Sequence, residues 1–289
     1  MANTIALKRR IGSIKNTRQI TKAMELVSAS KMRSAQEYAK QSREYREIAY
    51  DLMAKLGQMN EVKTNQMFKS RKVKAKLHIL ITSNLTLAGA YNYNAIKQVT
   101  NSITEDRKSN IKSSVIAIGK QGAQHIRRLE GVDLLAVYTD FSDHPTENDI
   151  KPILNTVIEL YQTEKVDAVS IVYTNFVSNL VQQIQETDLL PAKATEQVAK
   201  SNVYISNFEP SVDVVLDSIV TRLIEVQIWQ ALLESLASEH SMRMLAMKNA
   251  TDNANDLIDD YTLQYNTARQ ANITQELAEI IGGAEALKE

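Results

Sequence analysis

The stretch "SMRMLAMKNATDNANDLIDDYTLQYNTA" (241–268) decides the fold, because apolar or small residues recur in it at alternating steps of three and four. The repeat positions are Met244, Met247, Thr251, Ala254, Ile258, Tyr261, Tyr265 and Ala268. The spacing extends back to Val212 and so covers about eight heptads, which is typical of a helix packed along its length on another helix. Beyond Ala268 the seam positions become Asn272, Gln275 and Glu279, so the seam turns polar before the helix ends.

Prolines and glycines indicate where long helices can begin and end. All 4 prolines lie between residues 145 and 210, and no glycine occurs between Gly131 and Gly282. We therefore predict two long helices, over 1–59 and over 210–283 with a protruding tip. The first helix has a seam of its own, at Ala35, Tyr38, Ser42, Tyr45, Ala49, Leu52, Leu56 and Met59.

The middle of the chain, 73–208, changes from helical to mixed periodicity. Its β-rich runs are "VKAKLHILITS" (73–83), "SSVIAIG" (113–119), "LLAVYTD" (134–140) and "DAVSIVYTNF" (167–176), and helical patterns separate them. Strands that alternate with helices predict a Rossmann-like parallel-sheet α/β domain. The alternating run at 178–191 predicts a further edge strand. The fold class is thus α/β plus a long antiparallel coiled coil of the two terminal helices.

The two ends of the chain carry opposite charge. Residues 1–50 contain 11 Lys and Arg against 4 Asp and Glu, whereas residues 211–281 contain 4 against 11. If both helices are level where they leave the α/β domain, facing residues on the two helices have numbers that sum to about 267. We call this relation the 267 rule. The charge pairs are then Lys8 with Asp259, Lys15 with Asp252, and Arg33 with Glu234. Exposed pairs contribute only ~0.2–1 kcal/mol each, so they set register more than stability.

The same rule predicts an overhang at the end of the second helix. Residue 2 would face residue 265, so residues 266–281 would have no partner helix within the chain. At 1.5 Å per residue the overhang is roughly 24 Å long. An isolated helix of this length is marginal in water, so it is either a frayed tail or surrounded by another molecule.

Composition excludes several classes of protein. There is no Cys, which excludes disulfides and thiolate metal sites and suits a reducing compartment. The start "MANTIALKRR" lacks the apolar core of a signal peptide, and no run approaches the ~18 apolar residues of a membrane span. We expect a soluble, intracellular protein with no direct membrane insertion. The basic stretch 7–22 has an internal acidic partner in 252–260, so we expect no nucleic acid partner.

The sequence does not contain a recognisable active site of an enzyme. The histidines at 78, 125, 144 and 240 have no metal-like spacing, and His240 lies on the seam, where it is expected to pack. The run "GKQGAQH" (119–125) lacks the first Gly and the final Ser or Thr of a phosphate-binding loop. We expect no catalytic residue, no cofactor and no metal. From physics alone, a static coiled-coil adaptor or scaffold stays open beside the reading given below.

Two long stretches resemble the γ subunit of F-type ATP synthase of the bacterial type. They are "IGSIKNTRQITKAMELVSASKMRSAQ" (11–36) and "ASEHSMRMLAMKNATDNANDLIDDYTLQYNTARQANITQELAEIIGGAEAL" (237–287), at the two ends of the chain. The loop "SNLTLAGAYN" (83–92) keeps Ser83, Leu87, Gly89 and Asn92 of the family's strand-end motif and departs from it at 84–86, 88 and 90.

The resemblance implies a rotor. The helix pair would stand inside a ring of α and β subunits, and the α/β domain would sit on the membrane c-ring beside the ε subunit. The chain would then be a non-catalytic subunit that couples ion flow to ATP synthesis or hydrolysis, peripheral on the cytoplasmic face of the cell membrane.

The resemblance also assigns partner contacts residue by residue. Ring contacts are Lys22, Met24 and Glu25 on the first helix, Arg243 on the second, and Gln270, Thr274 and Glu276 at the tip. Ala88 and Gly89 are expected at the base of the ring or against ε. The 267 rule places Met24 and Arg243 level with each other.

Overall fold

We describe a computed structural model of the 289-residue chain. It describes residues 2–56, 67–69, 71–141, 145–192 and 212–286. The chain divides into two compact units, one made of Met1–Ser28 with Arg243–Glu289 and the other of Ala29–Met242.

Five helices and five strands follow one another along the described chain. In chain order they are α1 (Ala2–Leu56), β1 (Ala75–Ile81), α2 (Tyr91–Lys108), β2 (Lys112–Ile118), α3 (Lys120–Ile126), β3 (Asp133–Tyr138), α4 (Glu147–Gln162), β4 (Ala168–Phe176), β5 (Gln182–Leu190) and α5 (Val212–Ala286). The two long terminal helices and the α/β middle agree with the predicted fold class. The prediction for 178–191 is also confirmed, since β5 is an edge strand.

In the first unit, α1 and α5 run antiparallel. The Arg10 guanidinium lies over the Tyr261 ring at 5.9 Å from its centroid, and the hydroxyl oxygens of Thr21 and Thr251 are 2.8 Å apart. Lower numbers on one helix thus meet higher numbers on the other. The α5 seam is buried as predicted at Met247, Thr251, Ala254 and Ile258.

In the second unit, the α1 seam differs from the prediction by one residue. Met32, Ala35 and Ala39 are buried, whereas Tyr38, which we placed on the seam, is 43% exposed. Small alanine side chains at the buried positions allow a facing helix to approach closely. The predicted seam side chains from Ser42 onward lie outside the described ones.

The sheet of the second unit has the strand order β3-β2-β1-β4-β5. The first four strands are parallel, and β5 joins β4 antiparallel. β1 lies at the centre, and its residues Leu77, Ile79, Leu80 and Ile81 are at most 1% exposed. A strand buried on both faces reads as a continuous apolar run, which is why "LHILI" does not alternate.

Helices cover both faces of the sheet, which makes a three-layer unit. On one face, Ala95, Val99 and Ile103 of α2 and Ile126 of α3 pack on Leu80 and Val115. On the other face, α4 and the first part of α5 pack on a larger core, with Ile150, Val157, Val220 and Ile228 among its buried members. The two faces account for the alternation of strands and helices in the sequence.

An arginine clasp closes the amino end of the sheet. Arg71 Nη2 donates to the carbonyl oxygen of Tyr161 at 3.0 Å, and its guanidinium lies 4.5 Å from the centroid of that ring. Arg71 Nε lies 3.0 Å from Asp167, whose other oxygen accepts from the backbone N–H of Lys74 and Ala75. The clasp fixes the point where the chain enters β1. Among the described residues, no helix combines the length and apolar character needed to cross a membrane.

Candidate partner-contact surfaces

The carboxyl edge of the parallel strands is where α/β sheets commonly bind ligands, and here an asparagine side chain joins the strand ends. Asn84, just after β1, donates from Nδ2 to the carbonyl oxygen of Thr139 at 2.7 Å. Its Oδ1 accepts from the backbone N–H of Lys120 at 3.1 Å. One amide thus ties together the ends of three strands. An aspartate could not make both bonds, because it has no N–H to donate.

Gly119 brings β2 against β1 at the same edge. Its φ is +98°, and a Cβ there would lie 2.1 Å from the Thr82 carbonyl oxygen. The Thr82 hydroxyl accepts from the N–H of Gly122 at 2.9 Å. The glycines of "GKQG" therefore serve close packing of α3 on β1, and the run does not form an open phosphate cradle.

The loop after β1 presents apolar side chains to its surroundings. Leu85 is 67% exposed and Leu87 57%, and Tyr93 at the start of α2 is 66% exposed. Leu87 also has a φ of 65°, in the left-handed region that L-residues with bulky side chains rarely adopt. A strained and exposed leucine is expected where a loop is shaped for contact.

The two residues predicted for this loop differ in accessibility. Ala88 is 2% exposed, so its side chain faces inward and is not available to a partner. Gly89 is exposed, with a φ of 57°. The exposed apolar surface of the loop is therefore formed by Leu85, Leu87 and Tyr93, none of which was predicted as a contact residue. Their apolar character was visible, but their orientation depends on the backbone path.

On α1, the three predicted contact residues are at least partly accessible. Lys22 Nζ donates to both oxygens of Glu25, at 3.0 and 3.1 Å, and the Lys22 side chain is 54% exposed. Met24 is half-buried. Arg243 on α5 is different, since it is 5% exposed and its guanidinium is enclosed within the chain.

The register of the first unit corrects the 267 rule. Contacts join Arg10 with Tyr261, Arg18 with Asn255, and Thr21 with Thr251, so partners sum to 271–273. The pairs proposed from the sequence for this unit, Lys8–Asp259 and Lys15–Asp252, are therefore misaligned by about five residues, whereas Arg33 and Glu234 belong to the second unit. Lys8, Lys15, Arg33, Asp252 and Asp259 are exposed, whereas Glu234 is 2% exposed.

The correction also moves Met24 relative to Arg243. With a sum of 272, Met24 is level with residue 248, five residues from Arg243 (248 − 243). Five residues of helix correspond to about 7.5 Å along the axis. The prediction that the two residues share one level is therefore wrong.

The end of α5 runs past the level of its partner helix. Ala2 is level with residue 270 at the observed register, and α5 continues to Ala286, which leaves 16 residues (286 − 270). Asn272 is the last described position that is even partly buried, and Gln270, Thr274 and Glu276 are exposed. The loss of the seam at this point agrees with the sequence analysis, although the overhang starts at 271 rather than 266.

The overhang nevertheless carries an apolar stripe on another face. Ile273, Leu277, Ile280 and Ile281 are 44–67% exposed. Steps of four, three and one place these residues within about a 100° sector of a helix with 3.6 residues per turn. The spacing of these residues is readable in the sequence, but the prediction considered only the coil seam.

One buried polar cluster in the sheet also escaped prediction. His78 in β1 is 0% exposed, and its Nε2 lies 2.7 Å from Asp106 Oδ2, while its Nδ1 lies 2.9 Å from Ser170 Oγ. Glu186 accepts from Ser102 and lies 3.4 Å from Lys76 Nζ. The Ser–His–Asp order is that of a hydrolase triad, but Ser170 is also 0% exposed, so no substrate reaches it.

Both carboxyl groups of this cluster have depressed pKa values. Burial alone would raise the pKa of Asp106, but the His78 hydrogen bond and charge, with Lys76 and Ser113, outweigh it and lower the pKa. Burial likewise opposes the lowering of the Glu186 pKa, which results from hydrogen bonds of Ser102 and Gln98 and from the Lys76 and His78 charges. The cluster therefore holds two carboxylates in the core of the second unit.

Of the other histidines, His240 was expected to pack, and it is buried. His240 is 7% exposed on α5, and His125 is half-buried near the end of α3, while His144 lies outside the described residues. Among the residues that the structure describes, no group of three or more His, Cys, Asp or Glu side chains could hold a metal ion.

Comparison with known proteins defines the class to which this arrangement belongs. A family model described as ATP synthase matches residues 3–287. An ATP synthase gamma chain from Macrococcus caseolyticus (strain JCSC5402) is 40% identical over 289 residues, which is 100% of both chains. The chain therefore belongs to the ATP synthase gamma-chain family, as the two terminal stretches indicated.

Solved structures share the fold. A chain from the Tetrahymena thermophila mitochondrial ATP synthase, central stalk and c-ring, has a TM-score of 0.61 at 22% identity, covering 80% of this chain and 99% of that one. A chain from the Euglena gracilis mitochondrial ATP synthase, OSCP/F1/c-ring, has a TM-score of 0.69 at 17% identity, with 99% and 95% covered.

Proposed function

We propose that this chain is the rotor subunit of an F-type ATP synthase central stalk. The observation that carries the proposal is the end of α5 in a chain of this family, where 16 residues (286 − 270) extend past the partner helix with an apolar stripe exposed. Such a stripe is costly in water, and a surrounding sleeve would bury it. A ring of α and β subunits is the sleeve that the family relation suggests.

The remaining partners follow from the same relation. The α/β unit would contact the ε subunit and the membrane c-ring, on the cytoplasmic face of the cell membrane. The subunit would be non-catalytic, and two observations support this. The carboxyl edge of its sheet is occupied by Asn84, and its Ser–His–Asp cluster is closed to substrate.

We assign contact roles in two groups. Lys22, Met24 and Glu25 would meet the ring along the shaft, and Gln270, Thr274 and Glu276 would do so at the tip, together with the apolar stripe beside them. Arg243 was expected in the first group, but its burial favours a role inside the chain. In the α/β unit, Leu85, Leu87 and Gly89 would form the loop contact to the ring base or ε.

A rotor and a static coiled-coil adaptor differ in one measurable respect. The chain has no Cys, so a Thr86→Cys variant carries a single thiol, on an exposed loop position next to Leu85 and Leu87. Thr86 suits this purpose better than Ala88, because the Ala88 side chain is buried. A disulfide from Thr86→Cys to one cysteine on a neighbouring β subunit should stop ATP turnover in the assembled complex, and reduction should restore it.

The controls separate a blocked rotor from a damaged one. Oxidised complexes with only the Thr86→Cys change, or with only the β cysteine, should keep full turnover. A static adaptor has one fixed neighbour, so undiminished turnover in a fully cross-linked complex would contradict the rotor proposal.

A further inference from the structure

The turn between β4 and β5 is ordered by its own hydrogen bonds. The Ser178 hydroxyl accepts from the backbone N–H of Leu180 and Val181, at 3.4 and 3.1 Å. Gln182 Nε2 reaches back to the carbonyl oxygens of Ser178 and Asn179, at 3.1 and 3.2 Å. These hydrogen bonds fix the conformation of the turn, so the turn can hold other groups in place.

Just before this turn, β4 extends beyond the reach of its neighbour β1. The β1–β4 pairing ends at Leu80 with Val172, so Thr174 has no β1 residue beside it. Side chains of α5 form hydrogen bonds with the backbone N–H and C=O of Thr174 instead. The N–H of Thr174 donates to Ser235 Oγ, and the hydroxyl of Ser238 donates to the Thr174 carbonyl oxygen, both at 3.1 Å.

These bonds lie in the interior. Ser235 and Ser238 are 0% exposed, and Thr174 is 1% exposed. A buried backbone N–H or C=O needs a partner, so the two hydroxyls continue the hydrogen bonding of the sheet where β1 has ended. An alanine at either position would keep the packing and leave a backbone group unpaired.

The turn itself reaches both long helices. The backbone carbonyl oxygen of Asn179 accepts from the Ser241 hydroxyl on α5 at 3.0 Å. The side-chain oxygen of Asn179 accepts from Gln36 Nε2 on α1 at 3.1 Å. Gln182 Nε2 also lies 3.3 Å from Ser241 Oγ. We call the bonded set of Gln36, Thr174, Asn179, Gln182, Ser235, Ser238 and Ser241 the hairpin clasp. All of these residues belong to the unit Ala29–Met242.

We propose that the hairpin clasp transmits torque between the long helices and the α/β sheet. Apolar side chains resist separation of a helix from a sheet, but they resist sliding or twisting of the helix less, because the hydrophobic effect has no direction. Hydrogen bonds have preferred distances and angles, so bonds from successive turns of α5 fix its rotation about its axis. This inference rests on the proposed rotor function.

The test uses the assembled ATP synthase complex in sealed vesicles, with the double variant Ser235→Ala/Ser238→Ala. The matched control is Ser218→Ala, an exposed serine on the same helix. Two quantities are measured in each complex. One is ATP-driven ion uptake per ATP hydrolysed, and the other is hydrogen exchange at the Thr174 amide. Two unpaired buried groups should shift the equilibrium toward the undocked helix by at least about 30-fold.

In the double variant we expect Thr174 exchange to accelerate by about this factor and ion uptake per ATP to fall, while the control keeps both values. Faster exchange with unchanged uptake per ATP would overturn the inference, since the clasp would then be structural only. Failure of the rotor proposal has a different result, because the disulfide from Thr86→Cys to a β subunit would then leave ATP turnover undiminished. If the double variant does not assemble, Ser241→Ala is measured instead, and unchanged uptake with accelerated exchange of the hairpin amides also overturns the inference.

Discussion

Replacement of His78 by leucine should destabilise the α/β unit strongly at neutral pH and less in acid. The change removes a hydrogen bond to a charged carboxylate, from Nε2 to Asp106 at 2.7 Å, and the bond between Nδ1 and Ser170 at 2.9 Å. A bond to a charged group contributes about 1.5–3 kcal/mol and a neutral bond about 1 kcal/mol. The apolar leucine recovers part of this through burial, so we expect a loss of about 2–3 kcal/mol at pH 7.

The pH dependence follows from the depressed pKa values of Asp106 and Glu186. A carboxyl group whose pKa is lowered by folding stabilises the protein above its ordinary pKa, and this contribution is lost as the pH falls through the folded value. In the wild type this loss occurs below about pH 4.5, the ordinary range of Asp and Glu. In the His78→Leu variant the histidine no longer lowers the pKa of the two carboxyl groups against the effect of burial. Acid therefore reduces the free energy of unfolding of the variant by less, and the free energies of unfolding of the two proteins converge.

The free energy of unfolding can be measured by urea titration at pH 7, 4 and 3, with the fluorescence of Trp229 as the probe. Trp229 is the only tryptophan and packs against the larger core of the unit. A His125→Leu variant is the control, since that residue is half-buried on α3 outside the cluster. Equal free energies of unfolding of wild type and His78→Leu at pH 7, or a difference that does not narrow between pH 4 and pH 3, would refute the reasoning.

Two further changes test the backbone and the helix register. Gly119→Ala places a Cβ 2.1 Å from the Thr82 carbonyl oxygen at a φ of +98°, and should lower the midpoint of thermal unfolding sharply, with a loss above about 3 kcal/mol. Gly12→Ala, with nothing within 4 Å of its new Cβ, should instead stabilise helix α1 by about 0.5–1 kcal/mol in the same assay. Cysteines at Thr21 and Thr251, whose hydroxyl oxygens are 2.8 Å apart, should form a disulfide that a shift on a non-reducing gel reports. Cysteine pairs whose numbers sum to 267 should not join, and preferential joining of those pairs would contradict the observed register.

The sequence predicts the architecture because periodicity is a local property. Strands of the second unit appear as apolar runs between helical patterns, and the α5 seam repeats for many turns, so elements can be assigned without tertiary information. The buried cluster at His78 could not be assigned in this way. Its members Asp106, Ser170 and Glu186 come from a helix and two other strands, and only the strand order brings them together.

At the end of α5, the exposure of the predicted contact residues could be anticipated, because the direction of a side chain on a regular helix follows from its position. Gln270, Thr274 and Glu276 are exposed because the partner helix has ended. In the loop after β1 the alternation of exposed Leu87, buried Ala88 and exposed Gly89 depends on two left-handed residues, which no periodic rule anticipates.

The register of the first unit shows which physical constraint was left out. The 267 rule assumed that the helices leave the α/β domain level with each other, and it ignored the phase of the two seams. On α1, residues Leu7, Ile11, Ile14, Arg18 and Thr21 are buried or partly buried, and they recur at the same steps of three and four as the seam on α5. Two such seams face each other along their length only if the residue numbers of facing partners sum to 272, or to a value that differs from 272 by a multiple of seven. The value 267 does not meet this condition. Apolar phase therefore decides the register, and the opposite charges of the two ends adapt to it, since exposed ion pairs contribute too little to shift a heptad seam. The same constraint places the end of the helix pair at residue 270, and so determines how much of α5 is left for a partner to surround.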